Sequence, residues 1–168
     1  IITTWMGDTA GFELTLVYTL YKDSTYYDTD VSLVNISGTP MDSVYFYRNI
    51  DPDNNVAGGG TYTTYNKILR NPVDGDSVAL VEAFSPIPHD SFIQLEATGE
   101  DWKAIYGGFK NRNPKGMWNL ADSLDWPTIY YDDTVGHVMV ADWAVGLVHL
   151  TPILPTGKSS AGNFSYKT

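Results

Sequence analysis

The stretch Phe12-Glu13-Leu14-Thr15-Leu16-Val17-Tyr18-Thr19-Leu20 decides the fold class of this chain. Successive side chains of an extended strand point to opposite faces, so Phe12, Leu14, Leu16, Tyr18 and Leu20 share one face while Glu13, Thr15, Val17 and Thr19 share the other. Segments of the same kind, rich in Val, Ile, Leu, Thr and Tyr, lie at 12–21, 26–36, 43–50, 61–69, 77–84, 91–98, 102–106, 136–150 and 161–167. Clusters of Gly, Pro, Asn and Asp separate them. That rhythm predicts an all-β chain folded as an antiparallel β-sandwich, Ig-like or jelly-roll-like.

Turn chemistry agrees with this. Ser37-Gly38-Thr39-Pro40, Asp74-Gly75 and the approach Gly58-Gly59-Gly60 each predict antiparallel neighbours on either side. At most one short helix is expected, over Met117 to Leu124 between Gly116 and Pro127, inside a long aromatic-rich loop at 110–135. With 168 residues and no low-complexity linker, the chain is expected to make a single β-sandwich domain over 1–168. It begins at Ile1 and not Met, which reads as a processed chain or a module of a larger protein. Ile1 to Trp5 is apolar and is expected to be able to add as a strand to a neighbour.

A formal charge of -10 with only ten Lys plus Arg argues against a nucleic-acid or anionic-membrane partner, since both are met by basic patches. No apolar run is long enough for membrane insertion as a helix. The chain has no Cys, so disulfides and zinc–thiolate sites are excluded. Two sequons, Asn35-Ile36-Ser37 and Asn163-Phe164-Ser165, would accept glycans in a eukaryotic secretory pathway.

The densest chemistry lies in Arg48-Asn49-Ile50-Asp51-Pro52-Asp53-Asn54-Asn55. Asp51, Asp53, Asn54 and Asn55 crowd hard oxygen ligands into five positions, the donor set that Ca2+ takes. The spacing is not that of an EF-hand, and the competing reading is a solvated turn whose Asp and Asn cap their own backbone. Strand alternation sets Arg48 on the face of Val44 and Phe46, with Asp51 or Asp53 as the expected partner of its charge. The functional alternative is an Arg fork that holds a ligand carboxylate or sugar. Tyr130-Tyr131-Asp132-Asp133 reads as a solvated loop or a second metal site. Trp118, Trp126, Tyr130 and Tyr131, with Tyr62 and Tyr65 after the glycine run, are candidate ligand-stacking rings, while Trp5, Trp102 and Trp143 are assigned to packing. His137 and His149 are expected at strand ends, as ordinary surface histidines, and no nucleophile elbow or His-x-x-x-His spacing accompanies them.

The succession Tyr47-Arg48, Asp51-Pro52-Asp53, Tyr62-Thr63-Thr64-Tyr65-Asn66, Ala141-Asp142-Trp143-Ala144-Val145-Gly146-Leu147, Gly157-Lys158-Ser159 and Phe164-Ser165-Tyr166 resembles β-sandwich modules of large secreted microbial surface proteins and adhesins. The resemblance runs from about residue 12 onward, and the insert at 110–135 departs from it. It implies an extracellular or cell-surface location, Ca2+ as a stiffening ion, and recognition of a peptide or glycan. It also carries over Arg48, Asp51, Asp53, Thr64 and Asn66 as one shared cluster. The expected function is therefore non-enzymatic adhesion or surface recognition. The alternatives are a structural subunit of a fibre, shell or adhesin stalk that associates with like subunits, and a carbohydrate-active enzyme.

Overall fold

In the computed structural model, residues 2–7, 11–72, 75–85, 90–108, 113–120 and 131–168 are described. Their strands are β1 (Ile2–Gly7), β2 (Phe12–Leu20), β3 (Tyr26–Asn35), β4 (Met41–Ile50), β5 (Thr64–Arg70), β6 (Val78–Ser85), β7 (Ser91–Thr98), β8 (Trp102–Gly107), β9 (Tyr131–Asp132), β10 (Val138–Ala141), β11 (Ala144–Leu154) and β12 (Ser159–Lys167). They form an eight-stranded sheet in the order β1-β2-β3-β12-β7-β6-β5-β10 and a four-stranded sheet in the order β4-β11-β8-β9. Every pairing within the two sheets is antiparallel. The fold is thus the all-β sandwich expected from the alternation. Among the described residues no helix is long and apolar enough to cross a membrane.

The core sits between the sheets. Ala79, Val81 and Ala83 of β6, Leu95 and Ala97 of β7 and Phe164 of β12 face Trp102, Ala104 and Tyr106 of β8 and Val145 and Leu147 of β11. The smaller sheet is covered on its other face too. Helix α1 (Pro114–Asn119) lays Met117 and Trp118 over Ile105 and Val148, so β8 is buried along its whole length. The helix starts three residues before Met117 because Pro114 fits the first turn, where no N–H is needed, and it stops at Leu120 in a left-handed conformation with φ 52. Residues 121–124 lie outside the described residues.

Of the three turns, only the one at Gly75 (φ 83) joins strand neighbours, β5 and β6. The connection at 37–40 passes from one sheet to the other, and so does the glycine run at 58–60. Asn35 explains the first crossover. Buried at the end of β3, it donates from Nδ2 to the carbonyls of Thr39 (2.9 Å) and Leu154 (2.8 Å), while its Oδ1 accepts from the Ser37 N–H at 2.9 Å. The turn is thereby fastened to the opposite sheet. The same burial closes the Asn35 sequon in the folded chain, whereas Asn163 lies at the surface bonded to Asp30. The segment 136–150 also divides, at Asp142-Trp143, into β10 of the large sheet and β11 of the small one. β1 pairs with β2 of its own chain.

Gly162 on β12 is the tightest contact across the core: a Cβ there would stand 2.7 Å from Cζ2 of Trp102. Gly162→Ala is expected to cost about 1–3 kcal/mol through forced displacement of the ring. Gly38→Ala, where a Cβ meets nothing within 4 Å, should stay within about 0.5 kcal/mol. Urea unfolding of the two variants checks the contrast.

Candidate functional site

β4 ends at Ile50 and the chain turns about Pro52, which is buried while Asp51 and Asp53 on either side are exposed. Two amides hold this turn against the large sheet. Asn54 Nδ2 donates to the Ala83 carbonyl at 2.9 Å, and Asn55 Nδ2 donates to the Ser85 carbonyl at 3.0 Å. A short 3-10 helix, Val56–Gly58, follows and closes on Gly59 with φ 89. With the turn so placed, Asp51 and Asp53 meet Asp142 from the link between β10 and β11, and one oxygen of each carboxylate lies within 4.8 Å of the others. Burial first, then the charges of Asp53 and Asp142 and a hydrogen bond with Asp53, raise the Asp51 carboxyl above its ordinary value. Among the described residues none of the three forms an ion pair. Oxygens at 2.3–2.6 Å from a common Ca2+ fall within this mutual spacing. The arrangement therefore has room for a cation that would relieve the repulsion.

The anticipated ligand set is redistributed by the fold. Asp51 and Asp53 come together, and Asp142 joins them. Asn54 and Asn55 commit their amide nitrogens to β6, which makes them braces of the turn. Arg48 makes no ion pair with Asp51 or Asp53: alternation sends its side chain to the inner face with Phe46 and Ile50, whereas both carboxylates are exposed on either side of buried Pro52. There its charge acts on Tyr166, whose hydroxyl is nevertheless held above its ordinary value by burial and by Tyr27. Thr64 and Asn66 are buried and bonded to each other at 3.1 Å, and Asn66 Nδ2 reaches the Ala141 carbonyl at 3.1 Å. They tie β5 to β10 and present nothing to a ligand. Trp118 packs over the outer face of the small sheet, with the Lys103 ammonium 5.5 Å from its ring centroid. Tyr131 pairs with Gly107 in β9, while Trp126 and Tyr130 lie outside the described residues.

The chain from the 3-10 helix into β5 frames a cleft of about 270 Å³ lined by Gly59, Gly60, Thr61, Thr63, Tyr65, Ser85 and Val140, the last of these two residues before Asp142 in the chain. Strand register continues its rim across the outer face of the large sheet, because Val140 stands opposite Tyr65, Tyr65 opposite Phe84, and Phe84 opposite Phe92. Tyr62 (57 % exposed), Tyr65 (43 %) and Val140 (51 %) leave large apolar surfaces in solvent here. Of the candidate stacking rings Tyr65 thus lines the cleft, while Trp118 covers the outer face of the small sheet.

A second cluster gathers Asp132 and His137, which the sequence reading treated separately, around Tyr106. Buried Asp132 accepts at Oδ2 from the Tyr106 hydroxyl (2.9 Å) and from His137 Nδ1, and at Oδ1 from the Thr134 N–H (2.8 Å). Burial pushes its carboxyl up, but the bonds from Thr134, His137 and Tyr106 outweigh this and hold it below the ordinary value. Adjacent Asp133 is paired instead with Lys103 at 2.8 Å. The two neighbouring carboxylates are therefore compensated separately, one buried and one ion-paired, and do not form the solvated loop of the sequence reading. His149 is likewise no surface residue: it is buried against Trp102 and bonded to Asp101 at 2.8 Å.

Neither the models of known protein families nor the curated proteins compared with this chain gave a match.

Two outcomes follow from these charges. A raised carboxyl opposes folding once ionised, so Asp51→Asn should raise the melting temperature slightly at pH 7 in cation-free buffer. The gain should vanish as pH falls through the folded-state value of Asp51 and below the ordinary carboxylate value. Asp132 has the opposite sign: its bonds stabilise the fold above the ordinary carboxylate value, and this is lost as pH falls through its lowered folded-state value. Asp132→Asn should cost about 1–3 kcal/mol at pH 7 in chemical denaturation.

Proposed function

We propose that this chain is a non-enzymatic extracellular or cell-surface recognition domain whose sandwich end is braced by Ca2+ and which binds a peptide or glycan beside that ion. The observation that carries the reading is the convergence of Asp51, Asp53 and Asp142, which pair with no cation among the described residues, in a chain whose Val140, two residues before Asp142, lines an open cleft with the exposed Tyr65. Ca2+ takes six to eight oxygens. Three carboxylates would supply part of such a shell, the rest coming from water or ligand. The ion would join the β4–β5 connection to the β10–β11 link and so hold the cleft wall.

Unfolding in chelated buffer and in Ca2+, with Mg2+ as control, tests the brace. Ca2+ at a hundredfold excess over its Kd should stabilise the native state by about 2.7 kcal/mol. The gain should be lost in Asp142→Asn and in Asp51→Asn/Asp53→Asn. Equal stability with and without Ca2+ would sink this part of the reading.

A second reading, a self-associating structural subunit, is favoured by one observation. The exposed apolar row Val140, Tyr65, Phe92 reaches the edge strand β10, beyond which no described strand pairs. Sedimentation over a hundredfold range of concentration separates the two: a constant monomer mass supports recognition, and growing assemblies that Val140→Lys dissolves support the subunit.

A further inference from the structure

The cleft itself carries information about what it takes. Its lining, Gly59, Gly60, Thr61, Thr63, Tyr65, Ser85 and Val140, contains no charged side chain. In a chain with twenty acidic residues and a net charge of -10, a charge-free wall that includes Val140, two residues from Asp142, selects by omission. An anionic ligand would meet the negative field with no Lys or Arg to offset it, and a cationic one would find no carboxylate within the cleft to pair with.

What the wall does present is mixed. Hydroxyls of Thr61, Thr63, Ser85 and Tyr65 each combine donor and acceptor capacity, while the Tyr65 ring and Val140 are apolar and solvent-facing. At Gly59 the chain has φ 89 and a Cβ would meet nothing within 4 Å, so open space borders the bare backbone where a ligand could approach it closely. The Tyr65 backbone is held on both sides, by Phe84 of β6 and by Val140 of β10, which fixes the base of its ring on sheet and not on loop. A volume of about 270 Å³ is just below the range of roughly 300–1,000 Å³ for drug-sized ligands. It suits one six-membered ring and little more.

A neutral pyranose matches this list: one face of C–H groups for the tyrosine ring, and a rim of hydroxyls that both donate and accept. We propose that the cleft between Gly59 and Tyr65, walled by Ser85 and Val140, is the seat of a single neutral pyranose residue of a glycan. In it the sugar stacks on Tyr65 and exchanges hydrogen bonds with Thr61 and Thr63. The proposal rests on the recognition reading above and specifies its ligand.

The test uses the whole chain in Ca2+, probed with methyl glycosides and short oligomers of glucose, galactose, mannose and N-acetylglucosamine, with sialylated and sulfated glycans and a random peptide set in parallel. Titration calorimetry should detect at least one neutral sugar. Tyr65→Ala should weaken it tenfold or more, Tyr65→Phe should retain most of the affinity, and Val140→Glu should abolish binding while the melting temperature stays near that of the parent. Affinity for a neutral sugar that both Tyr65→Ala and Val140→Glu leave intact would overturn the cleft as its seat. Preference for acidic glycans, or for peptides only, would overturn the neutral-sugar assignment and leave the recognition reading standing. Failure of every sugar and peptide to bind, together with a stability indifferent to Ca2+, would overturn both.

Discussion

The ring of Trp102 lies against the backbone of Gly162, and much of the sandwich is arranged about that contact. Trp102 is 1 % exposed; Phe46 meets it edge-on at 6.3 Å, Phe164 lies at 6.2 Å and the His149 imidazole at 4.8 Å. These partners come from β4, β11 and β12, so one side chain of β8 links both sheets. Only a residue without a Cβ lets β12 approach the indole this closely. Asp101, which holds the outer edge of His149, immediately precedes Trp102 in the chain.

A sandwich of eight strands over four must bring its chain from one sheet to the other several times, and at those places the backbone ladder ends. Buried asparagines close the gaps. Asn35 joins the end of β3 to β11, Asn55 fastens the turn after β4 to β6, and Asn66 joins β5 to β10. Asn71 accepts from the Ala104 N–H at 3.2 Å and donates to the carbonyls of Ala104 and Asp133, both at 3.0 Å. An amide can donate and accept at once without carrying charge, which suits a site where carbonyls must be satisfied out of reach of water.

Charge is handled differently at the two edges of the small sheet, β4 and β9. Around β8 and β9 each carboxylate has its own partner, Asp132 with Tyr106 and His137, Asp133 with Lys103. Around the turn after β4, Asp51, Asp53 and Asp142 meet one another and, among the described residues, pair with no cation. The first arrangement fixes structure at neutral pH, and the second leaves an electrostatic cost that a bound cation would remove.

Alternation along Phe12–Leu20 and its successors was enough to place most of the strands and the all-β class, because which face a side chain takes in a strand depends only on its neighbours. The same local rule set Val44, Phe46 and Arg48 on the inner face. It was silent on which strands pair, so the connections at 37–40 and 58–60 read as hairpins although both change sheets. The candidate site divides in the same way. Asp51 and Asp53 were visible as a dense local pattern, but Asp142 lies some ninety positions further on, inside a segment, 136–150, that alternation read as one strand. Thr64 and Asn66 entered the expected cluster through the resemblance alone, which does not reveal burial; the pairing of β5 with β10 put them inside. What the sequence determined by itself were the properties carried by adjacent residues: strand periodicity, turn chemistry and net charge. Partners, burial and the meeting of distant carboxylates were decided only by the tertiary structure, because each depends on which faces exclude water together.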